Sequence, residues 1–260
     1  MTRFEHGAAT SVGHVRKVNE DSLLVNPPLF AVADGMGGHG SGDLASSLAI
    51  DAVKAAARLR PLSEDGVLAA LDGANRAIVT YEGVHGMGTT ITGLALVETP
   101  GGDRLMVFNV GDSRVYRLSG GDLVQVTIDH SEVQELVEAG VITRDEARVH
   151  PRRNIVTRAL GTVPPSRADR WLLPAVAGDR YMACSDGLYS EVPDETIAVL
   201  LAAGDPQGAA EALVAAAEAA GGHDNITVIV IDVVRFGHLG DYSEADVPTV
   251  PWRGIPNGLA

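Results

Sequence analysis

The chain of 260 residues contains a single cysteine, Cys184. One thiol can neither close an intrachain disulfide framework nor build a thiolate metal cluster, and a reducing compartment is the plain reading. Lysine is also scarce: only Lys17 and Lys54 occur among 20 basic residues, which face 34 acidic ones. The formal charge of −14 excludes nucleic acid or an anionic membrane as the main partner and suits the binding of cations. The bias to arginine accords with a G+C-rich bacterial genome. No apolar run approaches the roughly 18 to 20 residues of a membrane span, and the opening Met1–His6 segment has no signal-peptide core. A monomeric cytoplasmic protein is the expectation.

What the chain does have is apolar content of 45%, enough for a packed core in one large domain. Pro27-Pro28 breaks residues 22–33 into two short strands that read as a hairpin. Helical spacing follows over 41–59 and 63–79, with Ser63 a candidate N-cap. Strands are then expected over 90–97, 104–110, 114–118 and 123–127, and their short glycine-bearing links favour an antiparallel meander. A short helix over 130–139 stops at Gly140, and Thr143 to Glu146 has capping-box spacing. Further on come a strand at 181–184, helices at 194–201 and from Asp205-Pro206 to Gly221, and a β-branched strand at 225–234. Residues 237–260 lose periodicity and gain proline, reading as an extended tail or linker.

The most informative stretch is Phe30 to Gly40, an apolar strand followed by Asp34, three glycines, His39 and a helix. Gly35, Gly37 and Gly38 permit a sharp turn with positive φ, which leaves Asp34 at a strand mouth. Gly35, Gly37 and Gly40 also spell GxGxxG, so a dinucleotide-binding module is one reading. It lacks the second parallel strand about 20 residues on that such a fold needs, and Asp34 would repel a pyrophosphate. A divalent-metal site is the other reading.

Four strand ends carry aspartate beside glycine or asparagine: Ala33-Asp34-Gly35, Val110-Gly111-Asp112, Ser185-Asp186-Gly187 and His223-Asp224-Asn225. Glu20-Asp21 precedes the first strand of the hairpin. Any one of these alone is a turn former. Gathered on one edge, they would repel each other strongly unless cations intervened, and an oxygen-only set favours magnesium or manganese over zinc.

These segments, with Arg16-Lys17-Val18-Asn19, Gly88-Thr89-Thr90, Ser113-Arg114, Asp129-His130-Ser131 and Thr157-Arg158-Ala159-Leu160-Gly161, resemble the ordered motifs of the metal-dependent type 2C protein phosphatases, the bacterial single-domain branch above all. The resemblance covers about residues 5 to 235. It implies an α+β fold, a four-layer αββα sandwich with two central antiparallel sheets flanked by helix pairs, as a catalytic domain at 1–236. It also implies hydrolysis of phosphoserine and phosphothreonine in proteins, opposing Ser/Thr kinases, with two Mn2+ or Mg2+ ions and a third, weaker site. By motif, Asp34 bridges both metals, with the Gly35 carbonyl and Glu20 or Asp21 on one side and Asp186 and Asp224 on the other. Asp112 joins Asp186 at the third site. Residues 131–154 correspond to a flap beside the cleft.

On this reading a water activated between two cations attacks phosphorus in line, Arg16 holds the phosphate oxygens, and His39 protonates the departing oxygen. Taken alone, Arg16 reads rather as a surface ion-pair partner and His39 as a solvated loop residue. A cysteine-nucleophile phosphatase is excluded, because Ser190 stands where its phosphate-binding arginine would be. Neither Ser113 nor Ser185 lies in a GxSxG elbow. Asp129, His130 and Arg158 take structural roles by default. A catalytically silent scaffold is the remaining alternative, disfavoured because every expected acid is present.

Overall fold

The computed structural model describes residues 2–37, 41–58, 61–82 and 86–235; His39 and the 237–260 tail lie outside them. In chain order the elements are β1 (Arg3–Ser11), β2 (Asp21–Asn26), β3 (Leu29–Met36), α1 (Gly42–Ala56), α2 (Glu64–Val79), β4 (Gly88–Thr89), β5 (Ile91–Thr99), β6 (Gly102–Val110), β7 (Arg114–Ser119) and β8 (Asp122–Gln125). Then follow α3 (Glu132–Glu138), α4 (Arg144–Arg148), β9 (Asp169–Leu173), β10 (Arg180–Cys184), α5 (Asp186–Tyr189), α6 (Asp194–Ala202), α7 (Pro206–Ala220) and β11 (Ile226–Arg235).

One sheet has the order β1-β11-β10-β7-β8 and the other β2-β3-β5-β6-β9, with β4 added beside β3. Every strand pairing among the described residues is antiparallel. The dinucleotide reading of GxGxxG fails on this point, because its fold needs parallel neighbours joined by crossover helices.

The apolar strands are long runs because both of their faces are buried, and alternation sorts the side chains between layers. In β3, Phe30 and Val32 enter the layer between the sheets, where they join Val107, Tyr181, Ile229 and Ile231. Leu29, Ala31 and Ala33 point the other way, against Ala45, Ala49 and Val53 of α1 and Val67 and Leu71 of α2. On the far side Met182, Cys184, Val228 and Val230 pack under α6 and α7. Three apolar layers thus hold four layers of backbone, each large buried side chain contributing about 1.5–3 kcal/mol.

Helix ends follow the sequence signals. Ser63 accepts from Gly66 N at 3.1 Å, Asp205 accepts from Gly208 N at 2.8 Å, and Thr143 with Glu146 closes a reciprocal box.

Besides the two-residue β4, two strands escape the sequence patterns, and each lies at the edge of its sheet. β1 is largely exposed and carries Gly7, at which an added Cβ would meet the backbone of Gln207 at 2.3 Å. β9 has only five residues. Gly35 also differs from the sequence expectation. It continues β3 in register with Thr89 rather than starting a positive-φ turn, and it has to be glycine because an added Cβ would meet Gly42 O at 2.0 Å.

Candidate metal centre

The antiparallel order brings the aspartate-bearing strand ends to one end of the sandwich. Asp21 opens β2 and pairs directly with Asp34 near the end of β3. Asp112 lies in the turn from β6 to β7, Asp186 follows β10 as the first residue of α5, and Asp224 precedes β11. The charges of Asp21, Asp186, Asp112 and Asp224 all act on Asp34.

The backbone around Asp34 is fixed by the Gly88-Thr89-Thr90 segment. Thr90 Oγ1 accepts from Asp34 N at 3.0 Å, while Thr90 N and the Thr89 hydroxyl donate to Asp34 O at 2.9 and 2.8 Å. Thr90 Oγ1 also meets Ser113 Oγ at 2.8 Å, which ties this strand end to the turn bearing Asp112. Asn225 performs the same service for the N-terminal loop. Its Oδ1 accepts from Glu20 N at 2.9 Å and its Nδ2 donates to the carbonyls of Val12 and Val18, both at 3.0 Å.

The two acids at 20 and 21 part company. Glu20 Oε1 accepts from Gly42 N, the first amide of α1, at 3.2 Å, a favourable place for a carboxylate at a helix N-terminus. Asp21 instead faces the cluster, and its Oδ2 accepts from the Ser185 hydroxyl at 2.7 Å. Asp21 Oδ1 is buried without a hydrogen-bond partner. The Thr227 hydroxyl lies near, but its bonded neighbour is Thr10 Oγ1 at 2.8 Å.

Burial, and then mutual repulsion, makes this set reluctant to ionise. Burial pushes Asp21 up to about 7 despite the hydroxyl of Ser185, with Asp186 and Asp224 adding to the rise. Asp186 is pushed up to about 6 by burial and by Asp224, against a hydrogen bond shared with Asp34 and the nearby Arg16 and Arg114. Asp34 and Asp112 are both held well above the carboxylate range, again mainly by burial. One cation balances the rim: Arg16 Nη2 lies 2.7 Å from Asp224 Oδ2 in a partly exposed ion pair.

An orphaned buried carboxylate oxygen, buried carboxyls acting on one another and a donor set made only of oxygen fit hard divalent cations. Among the described residues no three acidic, imidazole or thiol groups close on a single point. Magnesium and manganese do not require that, since such ions take one or two carboxylates and complete their shell with water and carbonyl oxygens. Gly35, next to Asp34 and packed on Gly42, offers a carbonyl of that kind.

Beside Asp112 and Asp186 a cavity of about 340 Å3 opens beneath residues 131–154, with Arg114 and Tyr189 opposite Val133 and Arg148. The base of that excursion is closed by a bridge between Ser131 and Val156. Cys184 lies fully buried in β10, its thiol pushed up to about 12 by burial, and takes no part in the cleft. Ser185 is committed on both sides, donating to Asp21 and accepting from Thr227 N at 2.9 Å. Ser113 and Ser185 are the local hydrogen-bonding residues that their place beside acids suggests. The roles of Asn225 and Thr90 escape sequence reasoning.

A family model described as protein phosphatase 2C matches residues 10–216. The serine/threonine protein phosphatase PstP of Mycobacterium tuberculosis is 41% identical over 249 residues, 90% of this chain and 46% of PstP. The serine/threonine phosphatase stp of Listeria monocytogenes is 36% identical over 239 residues, 86% of this chain and 93% of its own. Among solved structures, the catalytic domain of PstP in complex with two manganese ions superposes with a TM-score of 0.81 at 37% identity, covering 90% of this chain and all of that one. The chain spans about half the length of PstP, the first of these relatives. From the match over most of its length and the shared two-sheet architecture, the chain belongs to the protein phosphatase 2C family.

Proposed function

We propose that this chain is a metal-dependent phosphoprotein phosphatase that hydrolyses phosphoserine and phosphothreonine. The observation that carries the reading is the meeting of Asp21, Asp34, Asp112, Asp186 and Asp224 at one end of the sandwich with too few cations of the protein's own to balance them. In this reading Asp34, the Gly35 carbonyl and Asp21 would hold one Mn2+ or Mg2+ ion, and Asp34, Asp186 and Asp224 would hold the other. Glu20 acts from behind as an acceptor for α1, and Asp112 with Asp186 forms a third, weaker site. Bound cations neutralise the phosphoryl oxygens and lower the pKa of water by several units.

The chain's own groups then orient the substrate. Arg16, at the rim, is placed to exchange its Asp224 contact for the phosphate oxygens, for which its planar fork is suited. His39 keeps the role of proton donor to the departing serine or threonine oxygen that its motif implies. The cavity beneath residues 131–154 gives room for peptide on one side of the phosphorylated residue. Kinases of serine and threonine are the natural opponents of this activity. A cytoplasmic location and a monomeric state complete the reading; among the described residues no helix is long and apolar enough to cross a membrane.

The test is release of phosphate from a phosphothreonine peptide with manganese and with a chelator. Turnover that requires manganese and falls at least about a hundredfold in Asp34→Asn and Asp186→Asn is the expected result. Turnover insensitive to chelation and to both substitutions contradicts it.

A further inference from the structure

His130 belongs to a motif that the reaction leaves without a task, yet it is 4% exposed and uses every polar atom it has. Its Nδ1 accepts from Gly111 N at 3.0 Å, and its own backbone N donates to Gly111 O at 2.9 Å. Because the Gly111 amide can only donate, Nδ1 must be the bare nitrogen, so Nε2 carries the hydrogen. Nε2 stands 3.0 Å from Asp169 Oδ2 in β9, the acceptor that this tautomer requires. Arg158 Nη1 lies 3.3 Å from Nε2 and 3.1 Å from the other Asp169 oxygen, and only the second is a bond once Nε2 is protonated.

The turn that His130 grips is the one bearing Asp112, and it is demanding to hold. Gly111 has φ 113° and an added Cβ would meet Thr90 Cγ2 at 2.5 Å, so the backbone is tightly seated and open only to glycine. Asn109 Nδ2 donates to Gly111 O at 2.9 Å and the Tyr189 hydroxyl donates to Asp112 O at 2.9 Å. Arg114 holds Tyr189 in place, its guanidinium carbon 3.5 Å from the ring centre. Every polar group from Gly111 N to Asp112 O is thus fixed from outside the turn, except the Asp112 N–H, while the Asp112 carboxylate faces the Asp186 charge. The grip therefore fixes the backbone from which the Asp112 side chain reaches the place where a cation shared with Asp186 would need it. The same residue holds the excursion beneath which the cavity lies, since Thr157 N donates to His130 O at 2.8 Å.

We propose that His130 is a positioning residue: through its Nδ1 bond to Gly111, with Asp169 selecting the tautomer, it presets Asp112 for the weaker cation shared with Asp186. This rests on the metal-centre reading above and goes beyond it in assigning that cation's affinity to a residue that never touches it.

Two conservative replacements separate the two ends of the imidazole. Asn at 130 places an amide oxygen near the Nδ1 position and can still accept from Gly111, but cannot reach Asp169. Gln at 130 places an amide nitrogen near the Nε2 position and can still donate to Asp169, but leaves Gly111 N unpaired. Manganese titration by calorimetry, on the whole chain, is expected to show the weakest binding step lowered about tenfold in His130→Gln, the scale set by one unpaired buried amide. His130→Asn is expected to stay within about threefold of wild type on the same argument. Melting temperature controls for folding, and the Gly111 amide is expected to lose exchange protection in His130→Gln alone. Equal weak-step affinity in wild type and His130→Gln, or loss in His130→Asn with retention in His130→Gln, overturns the positioning role. A wild type that binds no manganese at all overturns the metal-centre reading itself, and a wild type with tight steps but no weak one overturns only this inference.

Discussion

The hydroxyl of Ser185 donates to the carboxylate of Asp21 at 2.7 Å, across 164 residues of chain and from one sheet to the other. Asp21 pairs with Asp34 within its own sheet, and Ser185 is the immediate neighbour of Asp186. This one contact therefore sets the spacing of acids contributed by opposite halves of the sandwich.

Ser185→Ala leaves one more oxygen of a buried carboxylate without a donor and also removes the acceptor of Thr227 N. A loss of about 1–3 kcal/mol in stability by denaturant unfolding is expected, with turnover reduced but present. Complete loss of turnover in a folded Ser185→Ala protein, together with a phosphoserine trapped at Ser185 of the wild type, would show a nucleophile and contradict the account.

In metal-stripped protein, burial and then neighbouring acids hold Asp21 up to about 7 and Asp186 up to about 6. In the unfolded chain both return to roughly 4. Between these values the folded state keeps protons that the unfolded state has released, so stability falls as pH rises through roughly 4 to 7. Unfolding by guanidinium after exhaustive chelation is expected to require more denaturant at pH 5 than at pH 7.5, and added manganese is expected to restore the loss at pH 7.5. Stability that climbs with pH in the metal-free protein would show that the acids are not crowded.

Arg16 is tied to the rim by one contact with Asp224 and is half exposed, so its removal should leave the fold intact. Arg16→Ala is expected to raise KM for a phosphothreonine peptide about tenfold or more, the scale of a lost charge-assisted hydrogen bond. Arg16→Lys should recover little of it, since a point charge does not reproduce a planar fork. Steady-state kinetics of the two variants decides it. An unchanged KM in both would remove Arg16 from phosphate binding.

Much of this arrangement is legible along the chain because it depends on local chemistry. Asp34 at a strand mouth, the helix at Asp205-Pro206 and the glycine-linked hairpins β5-β6 and β7-β8 each follow from a few adjacent residues, whereas the single meander expected over β5 to β8 does not form, because the chain changes sheet between β6 and β7. The edge strands β1 and β9 do not: β2 and β8, also edges, are each tied to a neighbour by a local turn, whereas β1 pairs with β11 and β9 with β6, partners distant in the sequence. Gly35 shows a subtler limit: glycine there allows both Gly42 and the Glu20 carbonyl to come within contact of the strand, a packing requirement that the sequence pattern does not mark. The division between Glu20 and Asp21 is equally hidden, since it turns on which carboxylate meets α1 and which meets Ser185.

The central claim is that acids from four separate segments, Asp21, Asp34, Asp186 and Asp224, hold a pair of cations with Asp34 between them. Anomalous scattering at the manganese edge, from crystals grown with that metal, tests it most directly. Two peaks about 3.5–4 Å apart, both within bonding reach of Asp34, are expected. A single peak, or peaks on opposite sides of the molecule with Asp34 bonded to neither, would contradict it.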